Sequence, residues 1–314
     1  MNGFEFMLFA GNSNPALSQA IAKELKTKIS DSEISKFANG EIKVTINESV
    51  RGKDVFLIQT LCEPVNEHLI EMLIFVDALK RASADRITLV IPHFAYARQD
   101  KKFKSREPIS AKLIANLIQV AGTHRVLTID LHSAPIQGFF DIPVDNLTAL
   151  SLFDDYIAKQ KEDNFVIVAP DEGAMKKTTS FANATHADIA FMNKIRPKDN
   201  EAEILNVVGE VNGRNCIIMD DMIDTAGTIA VGIKALKERG AQKVFVCATH
   251  ALLSGNAVEK LNNSDIEEVV LTDTIPLTGK ELKNLKILSV APLLAKAINN
   301  IHKGESVSSL FKNY

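Results

Sequence analysis

The chain has 314 residues, of which 46% are hydrophobic and 24% charged, enough for one large or two medium globular domains. Its formal net charge of −3 excludes the basic surface that nonspecific binding to a nucleic acid or an anionic membrane requires. No window approaches a membrane span, so we expect small partners that are recognised locally.

Apolar runs alternate with helical patterns along the chain. The N-terminal stretch MNGFEFMLFAGN carries Glu5 and lacks a basic start, so we interpret it as a first strand and not as a signal peptide. Further strands are predicted in DVFLIQT, RITLVIPHF, RVLTIDLH, NFVIVAP, NCIIMDD and KVFVCATH, and helices in NEHLIEMLIFVDALKRA and ISAKLIANLIQVAG. This alternation predicts an α/β fold with mainly parallel sheets flanked by helices.

The two halves of the chain also resemble each other. RGKDVFLIQT with VDALKRASADRITLVIPH parallels NGRNCIIMDD with GIKALKERGAQKVFVCATH, and His93 matches His250. The offset of roughly 160 residues predicts two domains of similar fold, 1–147 and 148–314, without a low-complexity linker between them.

Two negative features narrow the function. Neither the G-x-x-x-x-G-K-[ST] motif nor the dinucleotide motif G-x-G-x-x-G occurs, so a nucleotide would have to be held in another way. The three cysteines, Cys62, Cys216 and Cys247, lack metal-type spacing, and we interpret them as buried thiols in a reducing cytosol.

The stretch IIMDDMIDTAGT predicts a strand, a turn of small residues and a helix. Consecutive backbone amides of residues 225–228 can close on an anion at the positive end of the helix. Asp220 and Asp221 would repel that anion, so we expect them to face hydroxyl groups or a divalent metal nearby. A sugar phosphate meets both demands, whereas a bare acidic pair alone would indicate a solvated loop.

Two strands are predicted to end in groups that can bind a metal or a hydroxyl. TIDLHS ends with Asp130 and His132, and VAPDEGA ends with Asp171. His132 and Asp171 could share a divalent ion, one contributed from each domain, although a lone histidine is more often a structural group.

Two segments carry clustered cations. The first, residues 93–110, is either a binding site for a polyphosphate or an ordinary solvated loop; its sequence is HFAYARQDKKFKSREPIS. FMNKIRPK carries Lys194 and Arg196 in what we predict to be an extended, mobile loop. Its cations could close over a reacting phosphate, although composition alone indicates a surface turn.

Taken together, FANGEI, PHFAYARQDKKF, TIDLHS, IQGFFDIPVDN, APDEGA, NKIRP, DDMIDTAGT and ESVSSLF resemble the ribose-phosphate pyrophosphokinase (phosphoribosyl diphosphate synthase) family over essentially the whole chain. The resemblance implies two phosphoribosyltransferase-like domains, with ATP on the side of residues 1–147 and ribose 5-phosphate on the side of 148–314. It also implies that the last ~12 residues pack back on the N-terminal domain.

The implied reaction transfers the diphosphate of ATP to the anomeric hydroxyl of ribose 5-phosphate with Mg²⁺, giving phosphoribosyl diphosphate and AMP. The family also implies a homo-oligomer, commonly a hexamer built from dimers. We expect the protein in the cytoplasm, with no nucleic-acid or membrane partner.

The same resemblance assigns roles to individual residues. It implies that catalysis uses Lys194, Arg196 and His132, and that the metal lies at His132 and Asp171. Ribose 5-phosphate would be held by Arg196, Asp220, Asp221, Asp224, Thr225, Ala226, Gly227 and Thr228. ATP would be bound by Phe37, Asn39, Gly40, Glu41, Arg98, Gln99, Asp100 and Lys101, with residues 37–41 reaching adenine across a subunit interface. A regulatory phosphate or ADP site would comprise Ser49, Arg51, Arg81, Ser83, Arg106, Gln137, Asp145, Asn146, Ser306, Ser308 and Phe311.

Some positions depart from the family pattern. Asn39 stands where an aspartate is common, Ala174 and Ala226 stand where glycine is common, and Lys177 and Thr179 stand where arginines are common. Ala226 still allows a tight turn if its φ is negative. Asn39 keeps a hydrogen-bonding side chain for adenine but carries no charge.

Two alternative functions share part of this pattern. A phosphoribosyltransferase would have the signature from Asp220 to Thr228 but would not need the YARQDKK loop. A catalytically silent regulatory subunit would be expected to lack lid and metal residues, whereas Lys194, Arg196, His132 and Asp171 are present. The sequence therefore favours the synthase.

Overall fold

The computed structural model describes residues 6–160, 163–195 and 204–310, and the chain groups into two compact units. As far as it is described, unit 1 comprises residues 6–148, 274–276 and 289–310, and unit 2 comprises residues 149–273 and 277–288. The C-terminal segment that groups with unit 1 thus begins at Ser289, well before the last ~12 residues that the family resemblance suggested.

Unit 1 is built on a five-stranded parallel sheet in the order β1-β4-β5-β6-β7. Its three central strands are almost entirely buried and consist mainly of Val, Ile, Leu and Phe, as expected for a parallel sheet covered by helices. The sheet strands are β1 (Phe6–Ala10), β4 (Asp54–Ile58), β5 (Arg86–Ile91), β6 (Arg125–Ile129) and β7 (Val144–Leu147), and an antiparallel hairpin is formed by β2 (Ser32–Lys36) and β3 (Ile42–Ile46). The helices are α1 (Pro15–Glu24), α2 (Val65–Arg81) and α3 (Ser110–Ala121), followed by a 3₁₀ helix at Ala134–Phe139.

Unit 2 is built on a seven-stranded sheet in the order β10-β9-β8-β11-β12-β13-β14, parallel except for the antiparallel edge strand β10. The strands are β8 (Phe165–Ala169), β9 (Asp188–Ile195), β10 (Ile204–Val208), β11 (Asn215–Ile223), β12 (Lys243–Ala251), β13 (Glu268–Thr272) and β14 (Leu285–Leu288). The helices are α4 (Leu150–Ile157), α5 (Met175–Thr185), α6 (Gly227–Glu238) and α7 (Ala257–Asn262). The two α/β units with mainly parallel sheets confirm the predicted fold class.

The segments that resemble each other in sequence fold alike. In unit 1, β4, α2 and β5 form a βαβ unit whose strands pair in parallel, with Asp54 opposite Arg86. In unit 2, β11, α6 and β12 form the same arrangement, with Asn215 opposite Lys243. The parallel pairing follows from the crossover helix, which returns the chain to the same edge of the sheet.

Helix α8 (Ala291–Lys303) belongs to unit 1, where it packs against α1. A charge network centred on the buried carboxylate of Asp54 ties its last turn to the sheet. Asp54 is fully buried, and its carboxylate accepts hydrogen bonds from Arg86 Nε at 2.7 Å and Arg86 Nη2 at 2.5 Å. His302 Nδ1 lies 2.8 Å from Asp54 Oδ2, and Arg86 Nη2 also donates to the carbonyl of Ile301 at 3.1 Å. These bonds explain why the C-terminal helix groups with unit 1.

Among the helices in the described ranges, none combines the length and apolarity that a membrane crossing would need. The cysteines Cys62, Cys216 and Cys247 all lie in these ranges, are buried and form no disulfide. Burial raises the pKa of the Cys216 thiol to about 11, and burial also raises the pKa of Cys247, so both stay protonated at neutral pH.

Candidate active site

The acidic strand of unit 2 continues further than its charges suggest. We expected β11 to end at the aspartates, but it runs to Ile223, with Asp220 paired to Ala248 and Ile223 paired to Ala251 of β12. On its other side, β8 pairs with β11 as far as Ile218. The strand persists because β12 continues to offer hydrogen-bonding partners beyond the end of β8. Asp220 and Asp221 therefore lie on a strand supported from one side.

The turn after β11 presents unused backbone donors. Helix α6 begins at Gly227, so residues 224–226 connect strand and helix. In the described part of the chain, the backbone amides of residues 225–228 have no acceptor. Among the described residues other than its chain neighbours and the backbone of α6, a Cβ placed on Gly227 would meet one atom within 4 Å, Thr225 Oγ1 at 4.0 Å. Open space beside free amides at a helix N-terminus is the arrangement that binds an anion.

The carbonyl groups of the same turn are, in contrast, engaged. The amide of Ser254 donates to the carbonyl of Asp224 at 2.9 Å, and Lys260 Nζ donates to the carbonyl of Thr225 at 3.0 Å. The carbonyl of Ala226 accepts the first helical bond, from Ala230, at 3.0 Å. The turn therefore directs its acceptors into the protein and leaves its donors for a ligand.

The turn does not meet the condition of a negative φ at Ala226. Ala226 has φ 56° and ψ 14°, which is the left-handed helical region. An L-residue with a Cβ loses about 1–2 kcal/mol in this region because the Cβ crowds the following carbonyl oxygen. The conformation is maintained because the surrounding groups fix the turn: Ala226 is 5% exposed and packs in the core of unit 2.

Two neighbouring carboxylates, Asp221 and Asp171, affect the protonation of Asp220. Burial, together with the nearby charge of Asp221 and a smaller effect of Asp171, raises the pKa of Asp220 to about 8 from its ordinary value of 3.8. The backbone amide of Asp221 donates to Asp220 Oδ1 at 2.8 Å, which opposes the rise only in part. Excess negative charge that is partly desolvated favours a ligand that brings hydroxyl donors or a cation.

The structure places Asp171 in the turn between β8, which ends at Ala169, and α5, which begins at Met175. Its Oδ1 accepts a hydrogen bond of 3.0 Å from the amide of Ala174, so the carboxylate closes the turn that starts the helix. Its electrostatic effect on Asp220 associates it with the acidic strand. The predicted partner His132 belongs to unit 1.

His132 follows a strained residue in unit 1. It is exposed and lies three residues beyond the end of β6. Asp130 has φ 46°, is buried, and its Oδ1 accepts a hydrogen bond from Thr148 Oγ1 at 2.9 Å. A positive φ at a residue other than glycine marks a position that the surrounding structure enforces, and such positions cluster at functional sites.

The residues predicted to receive adenine form the tip of the β2–β3 hairpin. The amide of Phe37 donates to the carbonyl of Glu41 and the amide of Gly40 donates to the carbonyl of Phe37, each at 2.8 Å. Gly40 has φ 90°, which glycine adopts without steric cost. Asn39 Oδ1 accepts from the amide of Glu41 at 3.2 Å, and the ring of Phe37 is 54% exposed. The tip thus displays an aromatic face on a well-defined turn.

The second predicted ATP segment lies between β5 and α3. The Oε1 of Gln99 accepts from Ser110 Oγ at 2.5 Å, which ties the segment to the start of α3. Lys101 Nζ lies 5.2 Å from the centre of the Phe103 ring. Arg98 is exposed and Asp100 is partly buried.

The described residues of the predicted regulatory site all belong to unit 1. Ser49, Arg51 and Ser83 lie in two segments that approach each other, since the amide of Gly52 donates to the carbonyl of Ser83 at 2.9 Å. Asn146 Oδ1 accepts from the amide of Leu131 at 3.0 Å. Further local contacts involve Arg81 with Asp77, Asp145 with Arg125, Gln137 with the carbonyl of Ala134, and Ser308 with Ser306. Arg106 is exposed with φ 70°, and Phe311 lies outside the described residues.

The segment predicted as an extended, mobile loop is in part a strand. Phe191 to Ile195 belong to β9, and β10 pairs with them in antiparallel register, with Leu205 opposite Lys194. The loop prediction is therefore wrong for these five residues, because they pair with β10, an edge strand that its own sequence pattern does not indicate. The side chain of Lys194 and the whole of Arg196 lie outside the described residues.

Comparison with known proteins agrees with the sequence resemblance. Residues 6–122 match the family model for the N-terminal domain of ribose phosphate pyrophosphokinase, and residues 191–312 match the phosphoribosyl synthetase-associated domain. The ribose-phosphate pyrophosphokinase of Clostridium acetobutylicum is 51% identical over 314 residues, covering 99% of this chain and 98% of that protein. The one from Campylobacter jejuni is 49% identical over 311 residues, covering 99% of this chain and all of that protein.

A solved structure is similar over the same length. The crystal structure of phosphoribosylpyrophosphate synthetase from Mycobacterium smegmatis matches with a TM-score of 0.91 and 44% identity, covering 96% of this chain and 99% of that one. Identity of 44–51% over nearly the entire length of these three proteins shows that the chain belongs to the ribose-phosphate pyrophosphokinase family.

Proposed function

We propose that the protein transfers the diphosphate group of ATP to the anomeric hydroxyl of ribose 5-phosphate, giving phosphoribosyl diphosphate and AMP. The proposal depends mainly on one observation in unit 2: anion-binding amides and hydroxyl-binding acids lie close together along the chain. Backbone amides of residues 225–228 without acceptors lie a few residues from the partly buried acids Asp220 and Asp221. The amides bind the 5-phosphate, and the acids accept hydrogen bonds from the ring hydroxyls, directly or through a cation.

The remaining ribose 5-phosphate contacts follow from the same turn. Asp224 lies between the acidic strand and the amides, and its backbone is fixed by Ser254. Thr225 and Thr228 add hydroxyl groups beside the amides of Ala226 and Gly227. Arg196 supplies a cation for the sugar phosphate, as the family resemblance implies.

Mg²⁺ is the proposed cofactor. No group of three or more His, Cys, Asp or Glu residues within the described ranges is arranged to hold an ion. Mg²⁺ usually needs one or two carboxylates in addition to substrate phosphates, and Asp220, Asp221 and Asp171 offer excess negative charge of this kind. His132 and Asp171 are the residues that we assign to the metal. When bound, Mg²⁺ neutralises the phosphate charge that develops in diphosphate transfer.

ATP is assigned to residues of unit 1. The exposed ring of Phe37 offers a stacking face for adenine, and Asn39 and Glu41 add polar side chains on the same hairpin tip, with Gly40 between them. Arg98, Gln99, Asp100 and Lys101 lie in the segment before α3 and supply donors and positive charge for the triphosphate.

Catalysis by positioning and diffuse positive charge suits this family of reactions, because phosphoryl transfer needs little covalent help from the protein. Lys194 and Arg196 are the proposed catalytic cations that stabilise the transferred group, and His132 acts beside the anomeric oxygen.

We also propose a homo-oligomer, dimers assembling to a hexamer, in the cytoplasm. The exposed Phe37 at the hairpin tip supports this proposal, because its ring could contact the adenine of ATP bound to a neighbouring subunit. The three buried thiols support a reducing compartment.

The direct test is to mix the purified protein with ATP, Mg²⁺ and ribose 5-phosphate and to follow AMP by chromatography, with and without inorganic phosphate. We expect AMP and phosphoribosyl diphosphate to appear in equal amounts, and omission of the sugar phosphate to abolish both. AMP no higher than background in every condition would instead support a silent regulatory subunit. Release of diphosphate from phosphoribosyl diphosphate and a free base would support a phosphoribosyltransferase.

A further inference from the structure

A lysine that the sequence does not single out contacts the turn assigned to the sugar phosphate. Lys260 lies in α7, and its Nζ donates a 3.0 Å hydrogen bond to the carbonyl of Thr225. We propose that Lys260 is a positioning residue that fixes the peptide group between Thr225 and Ala226, so that the Ala226 amide faces the 5-phosphate of ribose 5-phosphate. This inference rests on the proposed function of the turn.

The direction of the Thr225 carbonyl determines the direction of the Ala226 amide. The bond between Thr225 and Ala226 is trans, and in a planar trans peptide the carbonyl and the amide point in opposite directions. Because the Thr225 carbonyl points towards Lys260, the Ala226 amide points away from it. This amide has no acceptor within the described residues. Lys260 therefore determines on which side of the turn a donor is offered.

The left-handed conformation of Ala226 favours rotation of this peptide group. Rotation of this peptide group by about half a turn would return φ of Ala226 from 56° to the negative range that alanine prefers. The same rotation would direct the Thr225 carbonyl oxygen towards the bound anion and remove a donor. The intrinsic preference of alanine thus opposes phosphate binding at this turn. A hydrogen bond from a charged ammonium to the unrotated carbonyl counteracts that preference.

Neighbouring restraints do not perform this role. The amides of Leu253 and Ser254 bind the carbonyls of Ile223 and Asp224, each at 2.9 Å, and so fix the chain before the turn. The carbonyl of Ala226 bonds to Ala230 and fixes the helix after it. Among the described contacts, the bond from Lys260 is the one hydrogen bond made by the peptide group between Thr225 and Ala226.

Replacing Ala226 with glycine distinguishes two possible roles of Lys260: positioning of the peptide group, or simple attraction of the phosphate by the lysine charge. Glycine populates positive and negative φ about equally, so its peptide group needs less restraint to remain unrotated. If Lys260 acts by position, its removal should matter more when residue 226 is alanine. If it acts only as a positive charge near the phosphate, its removal should have the same effect with either residue.

The experiment compares wild type, Lys260→Met, Ala226→Gly and the double variant. Calorimetry with ribose 5-phosphate and Mg²⁺ gives the affinity, and AMP formation at saturating sugar phosphate gives kcat. We expect Lys260→Met to weaken ribose 5-phosphate binding about tenfold with kcat within about twofold of wild type. In the Ala226→Gly background the same substitution should weaken binding less than about threefold.

Two further variants act as controls. Lys260→Arg keeps a charged donor and should restore most of the affinity, and circular dichroism verifies that each variant is folded. Lys234→Met removes an exposed lysine of α6 whose Nζ pairs with Glu238 at 3.8 Å, and it should leave both readouts unchanged.

Equal losses in the two backgrounds would overturn the positioning role in favour of charge attraction. An affinity of Lys260→Met equal to that of wild type would overturn it as well, while the proposed function would stand because wild type still binds the sugar phosphate. Wild-type protein that neither binds ribose 5-phosphate nor forms AMP would refute the proposed function itself, and the inference with it.

Discussion

The backbone amide of Asp221 donates a 2.8 Å hydrogen bond to the carboxylate of Asp220, the residue immediately before it in strand β11. The two side chains belong to one short acidic segment, and the charge of Asp221 raises the pKa of Asp220 in addition to the larger effect of burial. Such an arrangement destabilises the ligand-free protein. A site that tolerates this cost is organised for its ligand and not for stability.

The first prediction concerns the pH dependence of stability. The pKa of Asp220 is about 8 in the native protein, against an ordinary value of 3.8, so between these values the native state holds a proton that the unfolded chain has released. The contribution of this group to stability must therefore fall as the pH rises through that window. Asp220→Asn cannot ionise, so its advantage over wild type in thermal denaturation without ligands should grow from pH 5 to pH 8.

The same substitution should have the opposite effect on binding. Asp220→Asn removes the carboxyl group that is proposed to accept a hydrogen bond from a sugar hydroxyl or to bind a cation. The affinity of this variant for ribose 5-phosphate with Mg²⁺ should decrease at least about tenfold in calorimetry. The stability prediction would be contradicted if the difference in melting temperature between Asp220→Asn and wild type did not change with pH. Asp220 would then ionise normally in the native protein.

The second prediction concerns the left-handed alanine. Ala226→Gly removes a Cβ from a residue with φ 56° and should raise the free energy of unfolding by about 1 kcal/mol in urea denaturation. Ala230→Gly, inside α6, is a matched control that should lower it by about 1 kcal/mol because glycine disfavours helix interiors. Two losses of similar size would mean that Ala226 is not strained.

The third prediction concerns the buried network that holds α8. Arg86→Met leaves the fully buried carboxylate of Asp54 with His302 as its remaining charged partner, and it should lower the free energy of unfolding by about 3 kcal/mol. Arg81→Met removes an exposed arginine whose Nε lies 2.7 Å from Asp77, and it should have no measurable effect on stability. Equal melting curves for the two variants would contradict the structural importance of the network.

The fourth prediction concerns catalysis. Lys194→Ala should reduce AMP formation by orders of magnitude while calorimetry still detects ribose 5-phosphate binding, because the cation is proposed to act on the transferred group. The exposed Lys234 provides a control: Lys234→Ala should have a normal rate. A normal rate for Lys194→Ala would remove Lys194 from the catalytic residues.

The alternation of apolar runs and helical patterns was sufficient to predict the α/β class and the strand–turn–helix that carries the candidate site. Buried parallel strands such as β4 and β11 have an unmistakable composition. Edge elements were missed, among them β10, β14 and the hairpin of β2 and β3, because short and half-exposed strands are defined by their partners and not by their own residues.

The candidate site was predictable where chemistry is local and unpredictable where it depends on tertiary contacts. The acids and the small-residue turn follow one another along the chain, so their association could be inferred. The left-handed φ of Ala226 could not, since it depends on hydrogen bonds made by groups far away in the sequence. Lys260 is one lysine on an ordinary helical pattern 35 residues beyond Thr225, and nothing in its neighbourhood indicates its contact.

The measurement that tests the central claim most directly is a crystal structure of the protein with ribose 5-phosphate bound. We predict that the 5-phosphate oxygens lie within hydrogen-bonding distance of the backbone amides of residues 225–228, and that the ring hydroxyls face Asp220 and Asp221. A sugar phosphate bound elsewhere, or this turn without ligand in crystals whose other sites are filled, would contradict the account.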